Sequence, residues 1–279
     1  METIQEMREQ YSAKPQDEGL RVQSGSYLLE LSLDWIVLRA SENIHRLLGE
    51  SHVTLIDEPL GRFMLAQGLH DLRNLFSRLS GTTGIARAYG VRLTDDPKRH
   101  DIAFQLSEGR VILEAVPSVS EAFGQAFGSI GGLIAGLSES HGDALLEGGA
   151  RRMRALTGYD RVTLFLGEKR SESSRGAYPT AAELDAELPI LVADSEAAPV
   201  AVFPRSDDTS IGAALMKANK LQELRDSGVR SMMRVTFEGG EFRCDHRRPR
   251  EPNLEVHAAA ELFAQLFAMR LEIDRLRAD

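Results

Sequence analysis

A single cysteine, Cys244, is all the thiol chemistry in 279 residues, which excludes an intramolecular disulfide framework and fits a reducing compartment. Long apolar runs are lacking too. The richest stretch, from Gly124 to Leu137, is interrupted by Gln125, Gly128, Ser129, Gly131, Gly132 and Gly136, short of the roughly 20 residues a membrane span requires. The N-terminus, Met-Glu-Thr-Ile-Gln-Glu-Met-Arg, has neither the basic nor the apolar region of a secretory signal, so a soluble, cytoplasmic protein without membrane contact is expected. Positive charge is in deficit. A net charge of −9 argues against nucleic acid as a partner, because displacing counterions from phosphates needs an excess of Lys and Arg. The one basic cluster, Arg243 to Arg250, reads either as a solvated hairpin tip or as a patch for phosphate or an acidic partner.

Catalytic motifs are also missing. The chain has no Gly-x-Ser-x-Gly, Walker or Gly-x-Gly-x-x-Gly motif. Gly128-Ser129-Ile130-Gly131-Gly132 lacks a preceding strand and a phosphate-binding Lys, and its glycines are expected instead to let two helices approach closely. Seven histidines are scattered without His-x-x-x-His spacing, and no Cys-x-x-Cys is present, so no metal site is expected. Asp95-Asp96 and Asp207-Asp208 sit in polar stretches with no apolar wall to raise a carboxyl pKa. No catalytic residue is assigned, and the chain is not expected to be an enzyme.

What is present is a two-part pattern. Residues 1–21 are polar and read as an arm. Short apolar runs at Ser26 to Leu33 and Trp35 to Leu38 predict two strands, and Ser41 is a candidate N-cap for a short helix. Leu72, Leu75, Phe76 and Leu79 mark one face of a helix, and strands are predicted over Ile85 to Leu93, Asp101 to Leu106 and Arg110 to Ala115. Two helices follow, over Ser118 to Ser138 and Gly142 to Leu156, the second stopped at Thr157-Gly158. A second sheet is predicted from Arg161 to Leu166, Pro189 to Val192, Val200 to Phe203, and Ser231 to Phe237 with its partner after a Gly-Gly turn. Ile211 to Leu224 is predicted helical, Glu168 to Thr180 a mobile loop, and Asn253 to Leu276 one long helix. Leu266, Met269 and Ile273 on that helix either form an interhelix seam or pack on the sheet. The fold class is α+β, with two antiparallel-sheet domains.

Six stretches in order resemble the PAS-GAF photosensory core of bacteriophytochromes. These are Val22-Gln23 through Leu28-Leu29; Ser41-Glu42-Asn43 with Leu47-Leu48-Gly49; Gly158-Tyr159-Asp160-Arg161-Val162; Leu191-Val192-Ala193-Asp194 with Pro199-Val200 and Pro204; Leu224 to Met233; and Glu238 to Arg250. The resemblance implies an arm over 1–21, a PAS domain over 22–120 and a GAF domain with a C-terminal helix over 121–279. It also implies a figure-of-eight knot, in which the arm passes through the Leu191 to Lys220 loop. A signalling role and a homodimer through the GAF and C-terminal helices are further implications.

The family's pigment is a bilin, and the positions that would hold it are changed. The resemblance puts Tyr11 at the attachment cysteine, Ala182 at the carboxylate beside the pyrroles and Lys220 at a pocket histidine. It puts Ala214 at a propionate-binding arginine, Met232 and Arg234 at two pocket serines, and Phe165 at a tyrosine. Asp245 replaces the histidine that anchors the last ring, while His246 is kept. Cys244 matches a cysteine that does not attach pigment. The expectation is a degenerate, bilin-free signalling protein with no cofactor, acting through protein contacts. Noncovalent biliverdin or another tetrapyrrole in a remodelled pocket is the alternative.

Overall fold

Period-two alternation in the first hundred residues builds a sheet whose two faces are both covered. The computed structural model describes residues 19–77, 85–119, 124–178, 189–205, 214–218 and 221–278. They fall into two units, one from the Met1–Ser118 and Ala197–Asn219 parts of the chain and the other from Val119–Glu196 and Lys220–Asp279. In the first unit, β1 (Arg21–Val22), β2 (Tyr27–Leu31), β3 (Val37–Ser41), β4 (Ala86–Val91), β5 (His100–Ser107) and β6 (Arg110–Pro117) are joined by Val200–Phe203, the tenth strand, β10. The order is β1-β10-β3-β2-β6-β5-β4, with every recorded pairing antiparallel.

Val200–Phe203 therefore belongs to the first sheet rather than the second. Its apolar run fits either, and only long-range pairing selects: Val202 and Phe203 register with Ser41 and Ala40. Residues 20–23 are held from two sides, because Val202 N–H donates to Leu20 O while Gln23 N–H donates to Met216 O and Ala218 N–H to Arg21 O. The predicted helix from Ile211 shrinks accordingly. Among its described residues, 214–218 are non-helical, with a bridge between Val22 and Lys217, and the helix is Gln222–Asp226. The arm's predicted threading falls on residues outside those described.

One face of this sheet packs Leu29, Leu31, Val37, Phe104, Val111 and Leu113 under α1 (His45–Leu48), α2 (His52–Leu55) and α3 (Ala66–Ser77). Ser41 does not cap a helix with its side chain; its Oγ accepts the Leu28 N–H at 3.0 Å. On the other face Val22, Leu28, Ile112, Val202 and Ala214 form a smaller cluster. Glu114 shares that face, 2% exposed, and its two carboxylate oxygens accept the N–H groups of Leu215 (2.7 Å) and Met216 (2.9 Å).

Burial drives the Glu114 carboxyl up to about 7, against the downward pull of those two hydrogen bonds and of Lys217. The unfolded chain titrates this group near 4.5. Between these values the folded protein holds the extra proton, so this contribution is present at low pH and stability falls as pH rises through the window. Glu114→Gln is expected to remove that slope. It also sets an amide donor against one of the two N–H groups, costing about 1–2 kcal/mol above neutral pH. Unfolding curves from about pH 5 to pH 8 check both effects; a slope unchanged by the substitution would assign the titration to another group.

The second unit carries the sheet β8-β7-β12-β11-β9, made of β7 (Arg161–Leu166), β8 (Lys169–Ser174), β9 (Leu191–Val192), β11 (Ser231–Phe237) and β12 (Gly240–His246). The stretch predicted as a mobile loop contains β8. It has no apolar residue, yet as an edge strand it can be polar and still complete the ladder with β7. Helices α5 (Gly142–Thr157) and α7 (Leu254–Ala278) pack on this sheet, α4 (Gln125–Ala135) packs on those two helices, and α6 is the short Gln222–Asp226. Gly158 ends α5 in the left-handed region, φ 67°, as predicted. The close helix approach comes from other glycines than expected. A Cβ at Gly128, Gly131 or Gly132 would meet nothing within 4 Å, whereas one at Gly149 would run into the Phe267 ring of α7.

Candidate functional site

Alternation along the second sheet divides its residues between a helix side and an opposite wall. Val162, Leu164, Phe242 and Cys244 face the helices, where Phe242 meets Phe267 at 5.2 Å and Phe263 at 6.1 Å between ring centroids. One residue out of phase, Arg161, Thr163 and Phe165 of β7 register with Asp245, Arg243 and Glu241 of β12, and Met232 and Arg234 of β11 with Asp245 and Arg243. This wall is charged, yet deeply buried: Arg161, Thr163, Met232, Arg243 and Asp245 are each at most 2% exposed.

Buried charges persist only when paired. Arg161 donates Nε and Nη2 to Asp245 Oδ2 at 2.9 and 2.6 Å, and Arg243 donates Nε to Oδ1 at 2.8 Å. Both carboxylate oxygens of Asp245 are thus engaged by buried guanidiniums. Arg234 forks onto Glu241, with Nη2 to Oε2 at 2.7 Å. Tyr178 lies under the Arg161 guanidinium at 4.6 Å and the Arg247 guanidinium at 4.0 Å, and its hydroxyl donates to Asp160. Burial first, then the Asp160 charge, pushes the Tyr178 phenol up to about 12, so it stays a donor.

The only thiol is on the other side. Cys244 is fully buried in the helix-side layer, and burial pushes its pKa above the ordinary range despite a hydrogen bond with Thr157. His246 shares that side, one residue from Asp245 but across the sheet. Its Nδ1 accepts the Arg248 N–H at 3.0 Å, its Nε2 lies 3.5 Å from Asp160, and Tyr159 meets it edge-on. Two arginines of the basic cluster hold the unit together: Arg247 donates to Ala177 O, and Arg250 covers Tyr159 while donating to Gly158 O.

No protein-family model and no curated protein matches the sequence. Solved structures match by shape. The chromophore-binding domain of an unusual bacteriophytochrome from R. palustris superposes with a TM-score of 0.73 at 19% identity, covering 96% of this chain and 99% of that one. That of Stigmatella aurantiaca phytochrome P1 gives 0.71 at 22% identity, over 92% of this chain and 97% of that one. The longer Stigmatella photosensory core module gives 0.73 at 19%, over 93% of this chain but only 60% of its own length. The fold is that of the bacteriophytochrome PAS-GAF core. On that likeness the first unit is referred to as the PAS unit and the second as the GAF unit.

These neighbours overturn one expectation. Absence of a cofactor was inferred from changed pocket positions, yet the fold matched here is that of proteins described as chromophore-binding domains. Of the positions named from the resemblance, the GAF wall brings together Phe165, Met232, Arg234 and Asp245. His246 is on the helix side, and Ala214 is in the minor core of the PAS unit. Tyr11, Ala182 and Lys220 lie outside the described residues. Arg161 and Arg243 were not singled out as site residues, although their register opposite Asp245 and Thr163 follows from strand alternation once the pairing is known.

A tetrapyrrole's propionates are carboxylates that guanidiniums bind, and its pyrrole N–H groups need an acceptor; the wall carries both kinds of group in Arg161, Arg234, Arg243 and Asp245. Among the described residues, no group of three or more His, Cys, Asp or Glu could hold a metal ion, and no helix is long and apolar enough to cross a membrane.

Proposed function

We propose that this chain is a phytochrome-like PAS-GAF signalling module that holds a linear tetrapyrrole without a covalent bond. It is a sensor rather than an enzyme, works in the cytoplasm, and acts through protein contacts as a homodimer. The observation carrying the pigment reading is Asp245. It is a fully buried carboxylate on the wall, oriented by Arg161 and Arg243, and supports the pyrrole-facing role that Ala182 cannot fill. When bound, the pigment would supply light absorption; the protein's part is to orient it, exclude water and fix its protonation through Asp245 and its two arginines. Noncovalent binding follows from Cys244, which faces the helices with its proton held on by burial, while a thioether needs an accessible thiolate.

Mixing the apo-protein with biliverdin is expected to give a red-shifted absorption band that co-elutes with the protein. Denaturation should release the pigment, leaving no zinc-fluorescent band on a denaturing gel, and Cys244→Ser should bind equally well. No spectral change with excess biliverdin would overturn the pigment reading. A band that survives denaturation would overturn the noncovalent one.

A further inference from the structure

Beside the start of α7, the GAF unit leaves a cleft of about 320 Å³, a size within the range of small-ligand sites. It is not the charged wall. Met233 on its lining registers with Cys244 and Leu191, one residue out of phase with Met232, so the cleft is on the helix side of the sheet. Leu191, Met233 and Val256 supply apolar surface, and Tyr159, Arg250 and Asn253 supply polar groups.

Tyr159 is the group that points to a ligand. It is only 9% exposed, yet its hydroxyl makes no hydrogen bond to a described residue. Nor is the oxygen sealed in, so it opens to the cleft that the residue lines. A polar group this deeply buried is normally satisfied, and leaving it without a partner is costly. Burial also holds the phenol well above its ordinary pKa, so it stays a donor. Arg250 lies over the Tyr159 ring and gives N–H groups to Gly158 O and Thr157 O, out of the five that a guanidinium carries. Asn253 accepts the Val256 N–H through Oδ1, which leaves its NH2 group without a partner among the described residues. All three groups therefore offer donors. Glu251, the acidic side chain among the described lining residues, is exposed and screened by water.

We propose that this cleft binds a small apolar carboxylate. Its carboxylate takes hydrogen bonds from the Tyr159 hydroxyl, Arg250 and Asn253, and its hydrocarbon body lies against Leu191, Met233 and Val256. An ammonium has no acceptor to offer these donors, and a neutral hydroxyl lacks the charge that strengthens each bond. The site is separate from the pigment wall, because the sheet lies between them.

Titration calorimetry of the full chain with phenylacetate tests the proposal, with 2-phenylethanol and phenethylamine as probes of the same shape. Saturable binding of phenylacetate is expected, with the alcohol and the amine about tenfold weaker or worse. Tyr159→Phe removes only the oxygen. It should weaken phenylacetate about tenfold while leaving the melting temperature unchanged or higher, since the free protein loses a hydroxyl that had no partner. Val256→Trp should fill the cleft and abolish binding; circular dichroism checks its fold, and Tyr159→Phe carries the test where that variant does not fold. Absence of phenylacetate binding overturns the site, as does binding that Tyr159→Phe leaves unchanged or that biliverdin displaces. Equal binding of the alcohol or the amine overturns the carboxylate.

Discussion

Asp245→Asn is expected to destabilise the GAF unit by about 3 kcal/mol, among the largest effects available from a single polar side chain in this protein. The substitution keeps the shape and removes the charge that Arg161 and Arg243 share. Both guanidiniums are at most 2% exposed, so water cannot take over the role of the lost carboxylate. The amide also turns an NH2 donor toward one of two groups that can only donate. An exposed pair such as Glu272 with Arg275 is worth far less, because solvent already screens it. Urea unfolding read by circular dichroism, with hydrogen exchange locating the change to β7 and β12, measures the loss. A shift below about 0.5 kcal/mol, the range of ordinary surface substitutions, would mean the cluster is not buried as a unit. The same variant should weaken the biliverdin band where protein remains folded, which separates the stability role from the pigment role.

Phe267→Ala should cost about 3–5 kcal/mol, the range for removing a fully buried ring. Phe267 is 0% exposed and meets Phe237, Phe242 and Phe263. Its ring also occupies the space over Gly149 where any other residue would put a Cβ. That contact predicts a coupling of opposite signs. Gly149→Ala alone should destabilise by about 1–3 kcal/mol, because the added methyl overpacks the α5–α7 contact. In the Phe267→Ala background the same change fills part of the hole and improves helix propensity by about 1 kcal/mol, so it should stabilise. A double-mutant cycle in urea checks this; additive effects would show that α5 and α7 do not meet through these two residues.

How much was legible follows from the range of the interaction that decides each feature. The long last helix, the Gly158 stop and the strands Arg161–Leu166 and Ser231–Phe237 were readable because they depend on periodicity and local backbone preference. β8 was missed because a polar edge strand carries no apolar signature, and its identity lies in the hydrogen bonds of β7. Val200–Phe203 was placed in the wrong sheet because an apolar tetrapeptide fits any ladder that offers two open edges. The wall was half legible: four of the named positions share it, while Asp245 and His246, adjacent in sequence, point to opposite faces.

By itself, the sequence determined that this is a two-sheet α+β chain with one thiol, an acidic balance and no recognisable catalytic motif, because composition and short-range pattern decide those properties. Only the tertiary structure decided which strands share a sheet, that Glu114 is sealed beneath residues 215 and 216, and that two arginines converge on Asp245. It also showed that Leu262, Met269, Ile273 and Leu276 of α7 are exposed. Each of these depends on residues distant in sequence meeting across a sheet or a helix pair, where burial turns an ordinary carboxylate, thiol or apolar face into a group with a specific task.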